Sequence, residues 1–174
     1  MSIQTDRMVQ LVTDSTKQVF EMMMGIQLTA GEHYTDRNDP GPMAGVVSLV
    51  GLVGSWVGTG SFTCGPEMAC QLASSMLMAE YKSINEEVLD AVAEVTNMIV
   101  GNVKTGLEED LGPMGLSIPT VIFGRNFMTR SVGNSEWTVV PFFSGNERIE
   151  VQICLAPHKA SQTVPRFWMA GIHS

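Results

Sequence analysis

The stretch EEVLDAVAEVTNMIVGNVKTGLEED, residues 86–110, constrains the fold more than any other part of the chain. At about 100° per residue, Val88, Val92, Val95, Ile99 and Val103 gather on one side, and Glu94 and Asn97 project from the other. This is the pattern of one long amphipathic helix that buries its valine side. Its wet face nevertheless carries an asparagine. Asn is indifferent in a helix interior, because its short amide competes with the backbone for hydrogen bonds. Something other than helix propensity accounts for Asn97.

The flanking segments divide between helix and strand. From about Thr5 to Met24, the residues Met8, Leu11, Val12, Val19 and Met23 fall near one helical face, with Gly25 as a stop. GEHYTDRNDPGP, residues 31–42, is dense in turn formers and reads as a surface loop. Gly45 to Cys64 reads as two strands, with GTG at 58–60 as the tight turn between them. Pro66 opens a second helix, PEMACQLASSMLMAEY. GLSIPTVIFG (115–124), EWTVVPFF (136–143) and RIEVQICL (148–155) have strand composition, and SGNE supplies a turn. The order lacks a regular βαβ rhythm. The expectation is therefore α+β, two layers, with a mixed and mainly antiparallel sheet packed against long helices. Residues 1–156 are expected to form a single domain, and 157–174, with Phe167 and Trp168, a docked or disordered tail.

Composition removes several function classes. A chain of 174 residues, 44% hydrophobic and 16% charged, can build one real core. Its formal net charge of -8 excludes a binder of the phosphate backbone, because nucleic-acid affinity comes largely from Lys and Arg. GLVGSWVGTGSFTCG carries neither G-x-G-x-x-G nor G-x-x-x-x-G-K-[ST], so no nucleotide fingerprint exists. Cys64, Cys70 and Cys154 form no C-x-x-C pair, and His33, His158 and His173 have no i, i+4 spacing. The glycine-broken apolar run GVVSLVGLVGSWVG is shorter than a spanning helix, and MSIQTDRMVQ lacks a secretory start. A cytoplasmic protein without membrane insertion is expected.

Glu94 and Asn97 are three residues apart and so are neighbours on the helix surface, with Asp90 one turn earlier and Gly101 one turn later. An amide and a carboxylate without histidine or cysteine form a poor nucleophilic set. They form a good set for orienting water, which is what phosphoryl transfer asks of a protein besides electrostatics. No cationic cluster accompanies Glu94, so a partner must bring the phosphoryl group, the magnesium and the lysine.

D-x-x-x-E-x-x-N at Asp90, Glu94 and Asn97, continued as NMIVGNVKT and followed by SIPTVIFG, resembles the CheC/CheX/FliY phosphatase family, and most closely its CheX branch. The likeness runs from VVSLVGLVG through the second helix, the motif helix and Pro119 to PFFSGNERIEVQICL. It implies a CheC-like fold and hydrolysis of the aspartyl phosphate of a CheY-type response regulator in chemotaxis or motility signalling. It also implies Glu94 and Asn97 as the catalytic residues: Glu94 pairs with the receiver lysine, and Asn97 orients the attacking water. It implies no cofactor held by this chain, magnesium being supplied by the partner receiver domain, and a homodimer joined through the sheets. The second helix has Glu67-x-x-Cys70 in place of Glu-x-x-Asn. Cysteine lacks an amide's paired donor and acceptor, so a single site per chain is expected. The alternative is a non-catalytic receiver-binding adaptor or sensor on the same fold.

Overall fold

The computed structural model describes residues 3–36, 43–127 and 136–159. Three helices are present: α1 (Ile3–Met24), α2 (Pro66–Leu77) and α3 (Glu86–Leu111). The strands are β1 (Thr29–Ala30), β2 (Tyr34–Asp36), β3 (Met43–Gly54), β4 (Trp56–Cys64), β5 (Met114–Leu116), β6 (Thr120–Phe127), β7 (Trp137–Ser144) and β8 (Glu147–Pro157). They form one sheet in the order β1-β7-β8-β4-β3-β5, with β2 also on β7 and β6 also on β3. Every pairing among the described residues is antiparallel. The expected α+β architecture, a sheet against long helices, is what the chain adopts, but the expected mixed, mainly antiparallel sheet has no parallel pair among the described residues. β8 runs through Pro157, where the tail was expected to begin, and residues 160–174 with Phe167 and Trp168 lie outside the described residues.

Alternation along the strands decides which face meets the helices. Val46 opposes Cys64, and Phe62 opposes Val151, so these side chains share one face. Val140 opposes Val151, and Phe142 opposes Ile149, which extends that face to β7. Against it lie Val88, Val92, Val95, Ile99 and Val103 of α3, all buried as the helical spacing predicts, with Val12, Val19 and Phe20 of α1. Burying a side chain of this size stabilises the fold by about 1.5–3 kcal/mol, so this shared core dominates.

The glycines of the β3–β4 region act differently from the expectation. GTG at 58–60 is no turn; Gly58 and Gly60 lie inside β4, opposite Leu155 and Ile153 of β8. Gly60 is there for close approach, because a Cβ would stand 2.6 Å from Val100 Cγ2 of α3. The turn is at Gly54 and Ser55, where Gly54 takes a φ of 156° that L side chains rarely adopt. A glycine needed for contact and one needed for a turn look alike in sequence.

Other differences are smaller. The turn-rich composition of residues 31–42 predicts a loop, yet Tyr34–Asp36 pair with Val139, Thr138 and Trp137 of β7. Three residues are too few to show a period. The run 115–124 is broken into β5 and β6, both paired to β3. α2 ends at Leu77 and not at Tyr81, with Met78 in the left-handed conformation and almost fully exposed. At the far end of α3, Glu108 accepts from Met114 N–H and from Lys104 Nζ, each at 2.9 Å. The backbone donor and then the lysine hold its carboxyl below the usual range, and they tie the helix end to β5.

Candidate functional site on helix α3

The helix that carries Glu94 and Asn97 is fixed at both ends. Asn85 caps it, its side-chain oxygen accepting from Val88 N–H at 2.9 Å. Gly112 follows its last turn with a φ of 83°, and its N–H donates to Glu108 O. Between these ends the buried valine side presses on the sheet, and Thr96 turns its hydroxyl inward to Val92 O at 2.7 Å. The opposite side is therefore locked outward. Glu94 is exposed and Asn97 half-buried, where full exposure of both was expected. With one turn between them, they are about 4.5 Å apart along the axis.

No hydrogen bond from another described residue engages the Glu94 carboxylate or the Asn97 amide. Both functional groups are thus available, on a rigid helix, to something outside the chain. Asp90 is exposed one turn before, and Glu86 and Glu87 one turn before that. Tyr81, in the α2–α3 connection, donates its hydroxyl to Glu87. α3 has one cation of its own, Lys104, and it is bound to Glu108. The stripe is acidic with a single amide in it, so positive charge for an anionic reaction centre has to come from a partner.

Among the described residues, no group of three or more His, Cys, Asp or Glu side chains is placed to hold a metal ion. No helix among them is long and apolar enough to cross a membrane. A shallow cleft of about 450 Å3 runs beside α2, lined by Glu67, Cys70, Gln71, Tyr81 and Lys82 among others. Glu94 and Asn97 are not part of that cleft. They stand on a helix ridge, which suits insertion into a partner's pocket better than enclosure of a small molecule.

α2 places its Glu67 and Cys70 differently. Glu67 is exposed, but Cys70 is buried in the main core, only 8% exposed. Burial pushes the Cys70 thiol up, and Cys64 is pushed up to about 12 by burial, then by Glu147 and Cys70. Neither thiol is a ready nucleophile. Sequence spacing alone misses a further element of the site: Leu116 of β5 lies against α3 beside Gly101, where a Cβ would stand 3.6 Å from Leu116 Cδ1. Gly101 lies one turn beyond Asn97, so β5 borders the motif face.

The family model for the chemotaxis phosphatase CheX matches residues 46–143, which include α2, α3 and most of the sheet. The CheY-P phosphatase CheX of Thermotoga maritima is 27% identical over 128 residues, 73% of this chain and 82% of that protein. The crystal structure of a chemotaxis protein CheX from Desulfovibrio desulfuricans superposes with a TM-score of 0.76 at 29% identity, over 86% of this chain and 99% of that one. A CheX–CheY–BeF3–Mg2+ complex from Borrelia burgdorferi contains a chain matching with a TM-score of 0.71 at 27% identity, over 84% of this chain and 96% of that one. With a family match across more than half of its length, and that match centred on the helix bearing Glu94 and Asn97, the chain belongs to the chemotaxis phosphatase CheX family.

Proposed function

We propose that the protein hydrolyses the aspartyl phosphate of a CheY-type response regulator, with Asn97 orienting the attacking water and Glu94 pairing with the receiver's lysine. The observation that carries this reading is the pairing of an outward amide and an outward carboxylate one turn apart on a helix fixed at both ends. Support comes also from the matched relatives, one named a CheY-P phosphatase and another crystallised with CheY, BeF3 and Mg2+.

Each residue has a task its chemistry fits. The Asn97 carboxamide has both a donor and an acceptor, so it can hold a water by two hydrogen bonds and aim its lone pair at phosphorus. Because the amide is uncharged, it approaches the phosphoryl oxygens without repulsion. Glu94 approaches an anionic centre only if it meets a cation, and a receiver lysine is that cation. The receiver would hold the magnesium, which would supply charge neutralisation at the phosphoryl oxygens. The reaction adds water across the P–O bond, releasing inorganic phosphate and the free aspartate.

A homodimer joined through the sheet, acting in the cytoplasm, belongs to the same proposal. Its support is family membership and the side of the sheet away from α1, α2 and α3, where Val53 is 62% exposed. Sedimentation of the purified chain tests it. The phosphatase reading is tested by following phosphate loss from a phosphorylated CheY-type receiver with magnesium, alone and with this protein. Acceleration is expected; binding without acceleration would make the protein an adaptor.

A further inference from the structure

Helix α3 has two interior glycines, and the fold accounts for only one of them. At Gly106 a Cβ would collide with the Leu11 side chain of α1, so the packing of the two helices requires glycine there. At Gly101 a Cβ would meet nothing nearer than Leu116 Cδ1 at 3.6 Å, an ordinary van der Waals contact. Gly101 lies within the helix and is not among the glycines of positive φ, so its backbone suits any residue. The Thr105 hydroxyl donates to Gly101 O at 3.0 Å, a bond that the carbonyl of any residue would accept. Glycine inside a helix nevertheless weakens it relative to alanine. Among the described residues, nothing offsets that loss.

The position of Gly101 supplies a reason from outside the chain. It follows Asn97 by four residues, which sets it about 6 Å further along the axis and about 40° around it. The two share one ridge, with Glu94 on the other flank of Asn97. Val100, the other neighbour of Asn97 on the C-terminal side, is buried over Gly60 of β4. Past Asn97 the ridge therefore drops to bare backbone. An asparagine side chain is short, and it reaches the floor of a partner's pocket only if its neighbours do not meet the rim first. Glu94 is longer than Asn97 but has a lysine to meet. Gly101 has no side chain to hold a partner off.

We infer that Gly101 is a close-approach position, where the rim of the receiver's phosphorylation pocket packs directly on the α3 backbone so that the Asn97 amide reaches the phosphoryl group. The inference rests on the proposed function and names a further contact of the same partner. It has a consequence that a purely structural glycine lacks. A side chain at 101 should strengthen the protein and weaken its hold on the receiver, because the space it fills is empty in the fold and occupied in the complex.

The test uses Gly101→Ala, Gly101→Leu and the control Asn102→Leu, which adds the same leucine at an exposed position about 100° around the helix. The urea midpoint of Gly101→Ala should rise. Affinity for a CheY-type receiver loaded with beryllofluoride and magnesium should fall about tenfold in Gly101→Ala, as when a methyl group is forced into a close-packed contact. In Gly101→Leu the fall should be larger, and kcat/KM for the phosphorylated receiver should drop about 100-fold, the scale for misplacing a reacting group by about 1 Å. Asn102→Leu should behave as wild type. Wild-type affinity in both Gly101 variants would overturn the inference and leave the phosphatase reading standing. A lowered urea midpoint in Gly101→Ala would also overturn it, since the fold itself would then need the glycine. So would a fall in kcat at unchanged receiver affinity. If the wild type binds the receiver without turnover, the phosphatase reading fails and the affinity series still decides the role of Gly101. Absence of receiver binding in the wild type would remove both.

Discussion

Helices α2 and α3 carry related signatures, Glu67-x-x-Cys70 and Glu94-x-x-Asn97, and the fold treats them in opposite ways. On α3 the third-spaced residue is turned half outward beside an exposed glutamate. On α2 the glutamate is equally exposed, but the third-spaced residue is buried in the core. The difference is one of helix rotation as well as of residue identity. α3 buries the arc through Val88, Val92, Val95 and Ile99, which leaves position 97 on the opposite side. α2 buries Met68, Ala69, Cys70, Leu72 and Ala73, an arc that takes in position 70 itself. Hence a residue spacing specifies a site only together with the apolar stripe that sets the helix's orientation.

The largest expected effect breaks the comparison on the α3 side. Asn97→Ala should reduce kcat for receiver dephosphorylation on the order of 100-fold or more, since misplacing a reacting group costs about that much. Receiver affinity should be nearly unchanged. Glu94→Ala should both slow turnover and weaken binding, because it removes a pairing made in the bound complex. Single-turnover assays beside direct binding measurements separate the two. Full activity in Asn97→Ala would contradict the role assigned to the amide.

On the α2 side, Cys70→Asn should fail to make a second site. The new amide would take a position only 8% exposed, part of the main core and bordering the cleft beside α2, where a polar group left unsatisfied costs about 1–3 kcal/mol. The urea midpoint should fall accordingly, and phosphatase activity per chain should stay at the wild-type level. A doubled activity with unchanged stability would mean that the amide had found its way out of the core, contrary to the orientation described.

Much of this was legible in the sequence, and the particular residues show why. The valine spacing of α3 specified its buried face, since a period of 3.6 admits one orientation. The strand segments from 136 to 155 showed as β-branched and aromatic runs bounded by a turn, and β7 and β8 extend them only slightly. What failed was the meaning of glycine and the very short strands. Gly60 is small because Val100 comes close, a tertiary fact with no local signature. β2 exists because β7 offers it an edge, and Tyr34–Asp36 alone carry no period. At the site, Glu94 and Asn97 were visible as a motif. The half-burial of Asn97 was not, because it follows from how α3 sits against the rest of the fold.

Helix starts give the comparison its next test. Asn85 caps α3 with a side-chain oxygen, whereas Gly65 begins α2 without any side-chain cap. Asn85→Ala should therefore cost about 1 kcal/mol, the usual worth of such a cap, measured by urea denaturation. Some loss of turnover is expected with it, because the first turn of α3 leads directly into Asp90 and Glu94. A change below a few tenths of a kcal/mol would mean that packing alone fixes the helix start.

The smallest effect reverses that change on α2. Gly65 has φ -74° and ψ 166°, an extended conformation open to any residue. A Cβ there would meet only Glu147 Oε2, at 3.8 Å, so no backbone stands in the way. Gly65→Ser supplies a hydroxyl that can accept from the unpaired N–H groups of the first helical turn, and glycine is already a tolerable cap. The gain should therefore be only a few tenths of a kcal/mol, read as a slight upward shift of the urea midpoint with activity unaltered. A loss of stability would show that the open space at Gly65 is needed for the β4–α2 turn, and that α2 lacks a cap because of packing constraints on its entry.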